Sequence, residues 1–328
     1  MSSNARRRFL VGAGLALGWA GTYAQNPRRQ MPRIGFLGAA TPAAWQSRIE
    51  AFREGLRDLG YVEGKNIAIE FRFAEGRYER LAELAEELVR LRVDVIVTHA
   101  APGALAAKQA TATQRIPVVM TNVGDAVGWG IVKSLARPGG NITGDTFFIT
   151  ELVAKRLEVL KRALPGVQRV AVLANPDNPR MSPSVESMDR AAKELQLVLL
   201  KFDARRAGDL ERVFSAMAAD NVQALALVED VVLIANSSNI AARAAKQRLP
   251  SIGFVEFAQA GGLFGYGVDF LALYRRAPVF VDRILKGAKP GDIPVERPTQ
   301  FEFVLNRGAA KALGVALPTA LRPDREIE

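Results

Sequence analysis

The sequence has no cysteine and only one histidine in 328 residues. Zinc, haem and iron–sulfur sites draw their ligands mainly from these two residue types, so we expect no such cofactor. The lack of cysteine also excludes disulfides and a lipid-modified cysteine at a cleavage site. Only 7% of the residues are aromatic, but 49% are hydrophobic and 24% are charged, which is typical of a globular chain with a large core.

The sequence also lacks the common catalytic and nucleotide-binding motifs. There is no G-x-x-x-x-G-K-[ST] phosphate loop, no G-x-S-x-G elbow and no G-x-G-x-x-G after the first predicted strand. A serine triad would have to use His99, the single histidine, as its base. Glu229 and Asp230 follow a predicted strand, but the side chains of adjacent residues usually point apart. We therefore expect a protein that is not an enzyme.

The charge is unbalanced without being concentrated in one place. The formal net charge is +10, and Arg6, Arg7 and Arg8 account for three of the ten excess charges. The other basic residues alternate with acidic ones along predicted helices, which favours a solvated surface over a nucleic-acid-binding stripe. We expect no nucleic-acid partner.

The first 24 residues have the pattern of an export signal. Arg6-Arg-Arg-Phe-Leu10 precedes an apolar run to about Ala20, and Thr22-Tyr-Ala24 supplies a small-x-small cleavage site. The paired arginines resemble a twin-arginine signal, and the apolar run is shorter than the roughly 20 residues that span a bilayer. We predict a periplasmic, soluble monomer cleaved after Ala24, with no membrane insertion after cleavage; the alternative is an uncleaved anchor.

Two short runs rich in β-branched residues, Asp94–Thr98 and Pro117–Thr121, predict buried parallel strands. In a parallel sheet the loops at the carboxyl ends of the strands border the ligand crevice. Thr98, His99, Asn122 and Asp125 should therefore lie side by side at one rim. The sequence after Asp125 predicts a helix through residue 134.

Strands alternate with helices from Arg33 onward, and the alternation starts again after a turn-rich stretch, Pro138–Gly144, that we interpret as a crossing. The fold class is therefore α/β, with two doubly wound parallel-sheet lobes joined by a hinge. In the second half, one predicted helix runs from Ile234 to Arg248. We assign 31–144 plus about 270–290 to the N-terminal lobe, and 145–269 plus about 295–328 to the C-terminal lobe.

Six segments spread over most of the mature chain resemble one family of transport proteins. They are Phe52–Asn66, Asp94–Val97, Gly124-Asp125, Ser134–Gly144, Gly265–Asp269 and Ile284–Pro290. The resemblance is to substrate-binding proteins of ABC transporters with the type I periplasmic-binding fold, in the family that includes tryptophan and tyrosine importers. It implies a small-molecule ligand, permease and ATPase partners, and lobes that close on the ligand. The alternatives are an exported α/β hydrolase or oxidoreductase, and a ligand-sensing regulator, which would need a DNA-binding helix pair where the export signal stands.

The resemblance places the ligand between the lobes. Helix N-termini at this position suit a carboxylate, and Asp125, Asp230 and Asp269 suit an ammonium group, so we predict a zwitterion such as an amino acid with an apolar or aromatic side chain. Trp45 and Phe147 are either an apolar wall of the site or ordinary core residues. The candidate ligand contacts are Ala39, Thr98, His99, Ala100, Asn122, Gly124, Asp125, Asn175, Asp230, Glu256 and Asp269.

Several of these candidates have a purely structural alternative. Asp125 and Asn175 are also placed where helix caps occur, because short polar side chains accept hydrogen bonds from the free N–H groups of a first turn. Asp269 could hold the hinge turn, and Thr98 could satisfy the end of its own strand. The sequence leaves these alternatives open.

Overall fold

The computed structural model describes residues 31–328 as one compact unit. The predicted export signal and the predicted cleavage site after Ala24 lie outside the described residues. No helix in the described part of the chain is long and apolar enough to cross a membrane.

The first sheet contains five parallel strands in the order β2-β1-β3-β4-β5. Its strands are β1 (Arg33–Gly38), β2 (Ala68–Phe73), β3 (Val95–His99), β4 (Val118–Val123) and β5 (Ile142–Thr146). Three helices pack against it: α1 (Gln46–Asp58), α2 (Leu81–Arg90) and α3 (Ala100–Ala110). We call this body the first lobe. Its strand order reverses between β1 and β3, so a crevice opens at the carboxyl ends of these two strands.

The second sheet contains seven strands in the order β12-β11-β10-β9-β8-β6-β7. Neighbouring strands are parallel except for the pair β10 and β11, which is antiparallel. Its strands are β6 (Arg169–Ala174), β7 (Val198–Asp203), β8 (Ala224–Leu227), β9 (Ser251–Gly253), β10 (Phe264–Gly267), β11 (Glu302–Asn306) and β12 (Arg325–Ile327). We call this sheet and the helices on it the second lobe. The order reverses between β6 and β8, which repeats the arrangement of the first lobe.

Helices of the second half divide between the two lobes. Those associated with the second sheet are α4 (Ile149–Ala163), α5 (Ser182–Glu194), α6 (Leu210–Ala219), α7 (Val231–Ala235), α8 (Ser237–Lys246), α9 (Val255–Gln259) and α11 (Arg307–Leu313). The long helix α10 (Phe270–Leu285) instead returns to the first lobe, where it packs on α1, β4 and β5. A Cβ at Gly55 would lie 2.0 Å from the carbonyl oxygen of Arg275, so only glycine allows α1 and α10 to approach this closely.

The chain thus crosses between the lobes three times: from β5 to α4, from β10 to α10 and from α10 to β11. The predicted crossing at Pro138–Gly144 is wrong in its second half, because β5 begins at Ile142 and forms the edge of the first sheet. Ile142 and Thr143 are buried here, and β-branched side chains suit a buried strand better than an exposed linker.

Two predicted helices differ in the structure. Residues 126–134 form turns rather than a helix, because Asp125 closes a local turn by accepting a hydrogen bond from Gly128 N–H, and Gly130 has a positive φ of 67°. The helix predicted from Ile234 to Arg248 is two helices, α7 and α8, which meet at Asn236. The short elements α9 and β12 were not predicted.

Candidate functional site

The switch points of the two sheets face a shared cavity. First-lobe residues that line it are Trp45, His99, Ala100, Ala101, Pro102, Asn122, Gly124 and Trp129. Second-lobe residues are Ile149, Asn178, Arg180, Met181, Ser184, Glu229, Asp230, Val231 and Ile234, and Phe147 comes from the first crossing. The cavity therefore lies between the lobes, beside the chain crossing.

Aromatic and aliphatic side chains form much of the cavity wall. Trp45 is fully buried, stacks on the His99 ring at a centroid distance of 4.7 Å and donates from Nε1 to Tyr274 Oη at 2.8 Å. Trp129 and Phe147 add two more aromatic rings. Trp45 and Phe147 are thus both buried and part of the wall, so the two alternatives for them are not exclusive.

His99 ends β3 and forms the N-cap of α3, the place where sequence reasoning put it. The backbone N–H of Ala39, just after β1, donates to His99 Nε2 at 3.1 Å, which ties the two switch-point strands together. Burial lowers the pKa of His99 to about 3, so the ring is neutral at physiological pH. Ala100, the next residue, has a positive φ of 56°, a strained conformation for a residue with a Cβ.

Asn122 comes from the end of β4 and also has a positive φ, of 53°. Its backbone N–H donates to Asp145 Oδ1 at 2.7 Å. Its own side-chain oxygen Oδ1 is buried and has no partner among the residues that the structure describes. Burial raises the pKa of Asp145 to about 7. Asp145 lies on β5, next to the first crossing. The hydrogen bond from Asn122 N–H to Asp145 therefore connects the cavity wall to this crossing.

Asp230 follows β8 and is surrounded by hydrogen-bond donors. Its carboxylate accepts from the backbone N–H groups of Val232 and Leu233 at the start of α7, and from the amides of Asn175 and Asn178 at 3.1 and 3.0 Å. Burial raises the pKa of Asp230, and these donors oppose that shift. The carboxylate thus organises the loops after β6 and β8.

A fifth donor reaches Asp230 from the other lobe. Tyr78 lies in the 3-10 turn before α2, and its hydroxyl donates to Asp230 Oδ2 at 2.6 Å. Burial raises the pKa of Tyr78 well above its usual range, so the hydroxyl keeps its proton. This hydrogen bond joins the two lobes directly.

Glu229, adjacent to Asp230, is paired within the second lobe. Its carboxylate makes a bidentate contact with Arg156, whose guanidinium is fully buried and also donates to the carbonyl oxygen of Tyr266 at 2.9 Å. The two neighbouring acids therefore point to different partners, as expected for consecutive residues. Within residues 31–328 no group of three or more histidine or acidic residues could hold a metal ion.

Sequence reasoning missed two polar residues of the cavity, Arg180 and Ser184. Arg180 precedes α5 and Ser184 lies in its first turn. Arg180 Nε and Ser184 Oγ are buried and have no hydrogen-bond partner in the described part of the chain. The loop after β6 had been recognised at Asn175, and following that loop into the next helix would have found both.

The structure places five of the eleven predicted contacts on the cavity wall: His99, Ala100, Asn122, Gly124 and Asp230. The other six lie outside that lining. Ala39 and Asn175 lie behind it and contact it through His99 and Asp230. Their roles in ligand binding stay predictions.

The remaining four make local contacts. Thr98 donates to the carbonyl oxygen of Leu37 at 3.0 Å, Asp125 accepts from Gly128 N–H, and Asp269 caps α10 by accepting from Ala272 N–H. Glu256 accepts from the backbone N–H of Phe270, and burial raises its pKa to about 7. All four contacts are structural, but two of them differ from the alternatives left open by the sequence. Thr98 bonds to the neighbouring strand β1 instead of its own strand end, and Asp125 closes a turn instead of capping a helix.

Two doubly wound lobes that enclose a cavity at their facing switch points define a type I periplasmic binding fold. Residues 41–324 match the family described as ABC transporter substrate binding protein. The chain belongs to that family, which comprises extracytoplasmic transporter components and is not an enzyme family. It implies a small-molecule ligand and ABC transporter partners.

Individual relatives agree with the family. A tyrosine-binding protein of Clostridioides difficile (strain R20291) is 28% identical over 265 residues, which are 80% of this chain and 75% of the relative. A solved domain from Vibrio cholerae O1 biovar eltor is 26% identical with a TM-score of 0.80, and covers 90% of this chain and 100% of its own. An ABC domain from Streptococcus pneumoniae, solved in complex with L-Trp, is 25% identical with a TM-score of 0.78 over the same shares.

Proposed function

We propose that this protein is the periplasmic receptor of an ABC importer and closes its lobes on an amino acid, or a closely related zwitterion, with an apolar or aromatic side chain. The observation that carries the proposal is the cavity between the lobes, which combines aromatic walls with buried polar atoms that have no partner in the protein. The bound ligand would pass to permease and ATPase subunits.

The chemistry of the cavity supports a small ligand. Its wall combines aromatic rings with a few polar side chains from both lobes. Asn122 Oδ1, Arg180 Nε and Ser184 Oγ are unsatisfied here, and unpaired buried polar atoms cost free energy unless a ligand or water pairs with them. The relatives named for tyrosine and solved with L-Trp favour aromatic amino acids.

The proposed ligand contacts are His99, Ala100, Asn122, Gly124 and Asp230, together with Arg180 and Ser184. The ammonium assignment made for Asp125, Asp230 and Asp269 stays a prediction, and among these three only Asp230 borders the cavity. Because five donors already surround Asp230, we assign it mainly to loop order and lobe closure.

Closure is supported by the contacts that cross between the lobes. The bond from Tyr78 to Asp230 can form only when the two rims of the cleft approach each other. Three chain crossings join the lobes and are suited to act as a hinge, and the first of them borders the cavity. We further propose export by the twin-arginine route, cleavage after Ala24 and a monomeric mature protein. Mass spectrometry of the periplasmic fraction should find Gln25 at the N-terminus. An intact Met1 in that fraction would contradict cleavage.

A thermal-shift panel tests the ligand class. A ligand at 100 times its dissociation constant stabilises the folded state by about 2.7 kcal/mol. At an unfolding entropy of about 2.1 cal/mol/K per residue, this raises the Tm of a chain of about 300 residues by about 4 °C. Amino acids should shift Tm, whereas sugars, nucleosides and dicarboxylates should not. A shift with sugars or nucleosides and none with any amino acid would contradict the proposed ligand.

A further inference from the structure

The single histidine is held in one orientation by its neighbours. His99 is 1% exposed, stacks on Trp45 with an interplanar angle of 21° and lies 6.0 Å from the Tyr274 ring. Its Nε2 accepts the hydrogen bond from the Ala39 backbone N–H at 3.1 Å. Because Ala39, His99 and Trp45 all lie in the first lobe, this arrangement does not require closure.

The hydrogen bond from Ala39 determines which ring nitrogen carries the proton. A backbone N–H can donate only to an imidazole nitrogen that has a free lone pair, so Nε2 is unprotonated. The ring is neutral, because burial keeps its pKa at about 3, and a neutral imidazole carries one proton. The proton is therefore on Nδ1, which makes Nδ1–H a donor.

That donor has no acceptor among residues 31–328. Nδ1 is buried and unpaired in a residue that lines the cavity, and Arg180 Nε and Ser184 Oγ, also lining residues, are buried and unpaired as well. A buried N–H without a partner is unfavourable, so these atoms favour a ligand that brings an acceptor.

The acidic side chains of the cavity wall already have partners. Glu229 is paired with Arg156, and Asp230 accepts five hydrogen bonds. Asn122 Oδ1 remains as an unpaired neutral acceptor. The described lining thus offers unpaired donors for an anionic group of the ligand, but no unpaired carboxylate for a cationic group.

We propose that His99 is a specificity-determining residue that donates from Nδ1 to the carboxylate of the ligand, and that the amino group of the ligand meets the neutral acceptor Asn122 Oδ1 instead of an acid. This inference rests on the proposed function and specifies the head-group chemistry of the same site. It follows that binding depends strongly on the carboxylate of the ligand and only weakly on its amine.

The tautomer can be measured without any ligand. Because the chain contains one histidine, ¹⁵N-histidine labelling gives one pair of ring nitrogen signals in NMR spectra. We expect a protonated Nδ1 and an unprotonated Nε2 at pH 7. A ring protonated on Nε2, or on both nitrogens, would overturn the inference.

Three classes of probe test the ligand half of the inference: L-tyrosine and L-tryptophan, their amine-free propionic acids, and the corresponding amines without the carboxylate, tyramine and tryptamine. Loss of a neutral contact to the amine should cost about tenfold or less in affinity, and loss of the carboxylate about a hundredfold or more. Amines that bind as well as the amino acids, or propionic acids that bind a hundredfold more weakly, would overturn the carboxylate assignment.

The variant His99→Gln separates a contact from a structural role. Glutamine can still accept from Ala39 N–H but has no donor at the Nδ1 position, so the affinity ratio of amino acid to amine should fall about tenfold. Equal weakening of both probes would mean that His99 only supports the wall. If no amino acid binds the wild type, the proposed ligand class fails, and the NMR measurement still decides the tautomer.

Discussion

The hydrogen bond from Tyr78 to Asp230 is the contact whose removal should most directly weaken closure. The Tyr78 hydroxyl belongs to the first lobe and the Asp230 carboxylate to the second, and their oxygens are 2.6 Å apart. In an open form both groups would face water. Tyr78→Phe should therefore penalise the closed, ligand-bound form and leave the open form nearly unchanged.

The size of the effect follows from the type of bond. A hydrogen bond to a charged acceptor contributes about 1.5–3 kcal/mol, and about 1.4 kcal/mol corresponds to a tenfold change in affinity. Asp230 keeps its four donors from the second lobe after the substitution, so we expect the lower end of this range. The dissociation constant should rise about tenfold.

Isothermal titration with the amino acid that gives the largest thermal shift would measure this change. Tyr61→Phe is the matched control, because the Tyr61 hydroxyl donates to Asp282 Oδ1 at 3.0 Å without crossing the cleft, and α10, which holds Asp282, packs on the first lobe. We expect the control to keep wild-type affinity, and Tyr78→Phe to keep the ligand-free Tm. An unchanged dissociation constant in Tyr78→Phe would refute the role of this bond in closure.

Two further substitutions test buried charges. Arg156→Met should destabilise the protein by about 3–5 kcal/mol in urea unfolding, because it leaves Glu229 buried and unpaired. The double variant that also carries Glu229→Leu should recover much of this loss. A double variant as unstable as the single one would contradict the pairing. Burial raises the pKa of Asp145 from 3.8 to about 7, so between these pH values the folded state keeps a proton that the unfolded state loses. The contribution of this group to the free energy of unfolding is therefore fully present below pH 3.8 and is lost as the pH rises to about 7. Asp145→Asn keeps an acceptor for Asn122 N–H and should remove this component of the pH dependence of unfolding free energy, whereas identical pH profiles would show that Asp145 does not titrate in this range.

The switch points could be predicted from the sequence because they depend on local patterns. The buried strands that end at His99 and Asn122 are short runs of β-branched residues, and parallel strands bring their carboxyl ends to one edge. That reasoning placed both residues at the cavity. It also placed Asp125 at the same rim, but Asp125 closes a local turn onto Gly128.

The contacts between the lobes could not be predicted in this way. Nothing around Tyr78 in the sequence marks its partner, because Asp230 is 152 positions away and the bond depends on how the lobes meet. The donors that surround Asp230 likewise come from separate loops, so the sequence could not tell a saturated carboxylate from a free one. Arg180 and Ser184 were missed because they lie at the end of the loop and in the first turn of α5, beyond Asn175, the one residue of this loop that was chosen as a contact.

Solution scattering of the mature protein, with and without the amino acid that gives the largest thermal shift, tests closure on a ligand most directly. A compact chain of this length has a radius of gyration of about 19 Å. We predict a value near this for the ligand-bound form and a larger value for the ligand-free form, because the lobes separate when the cavity is empty. Identical profiles in the two conditions would contradict closure on the ligand.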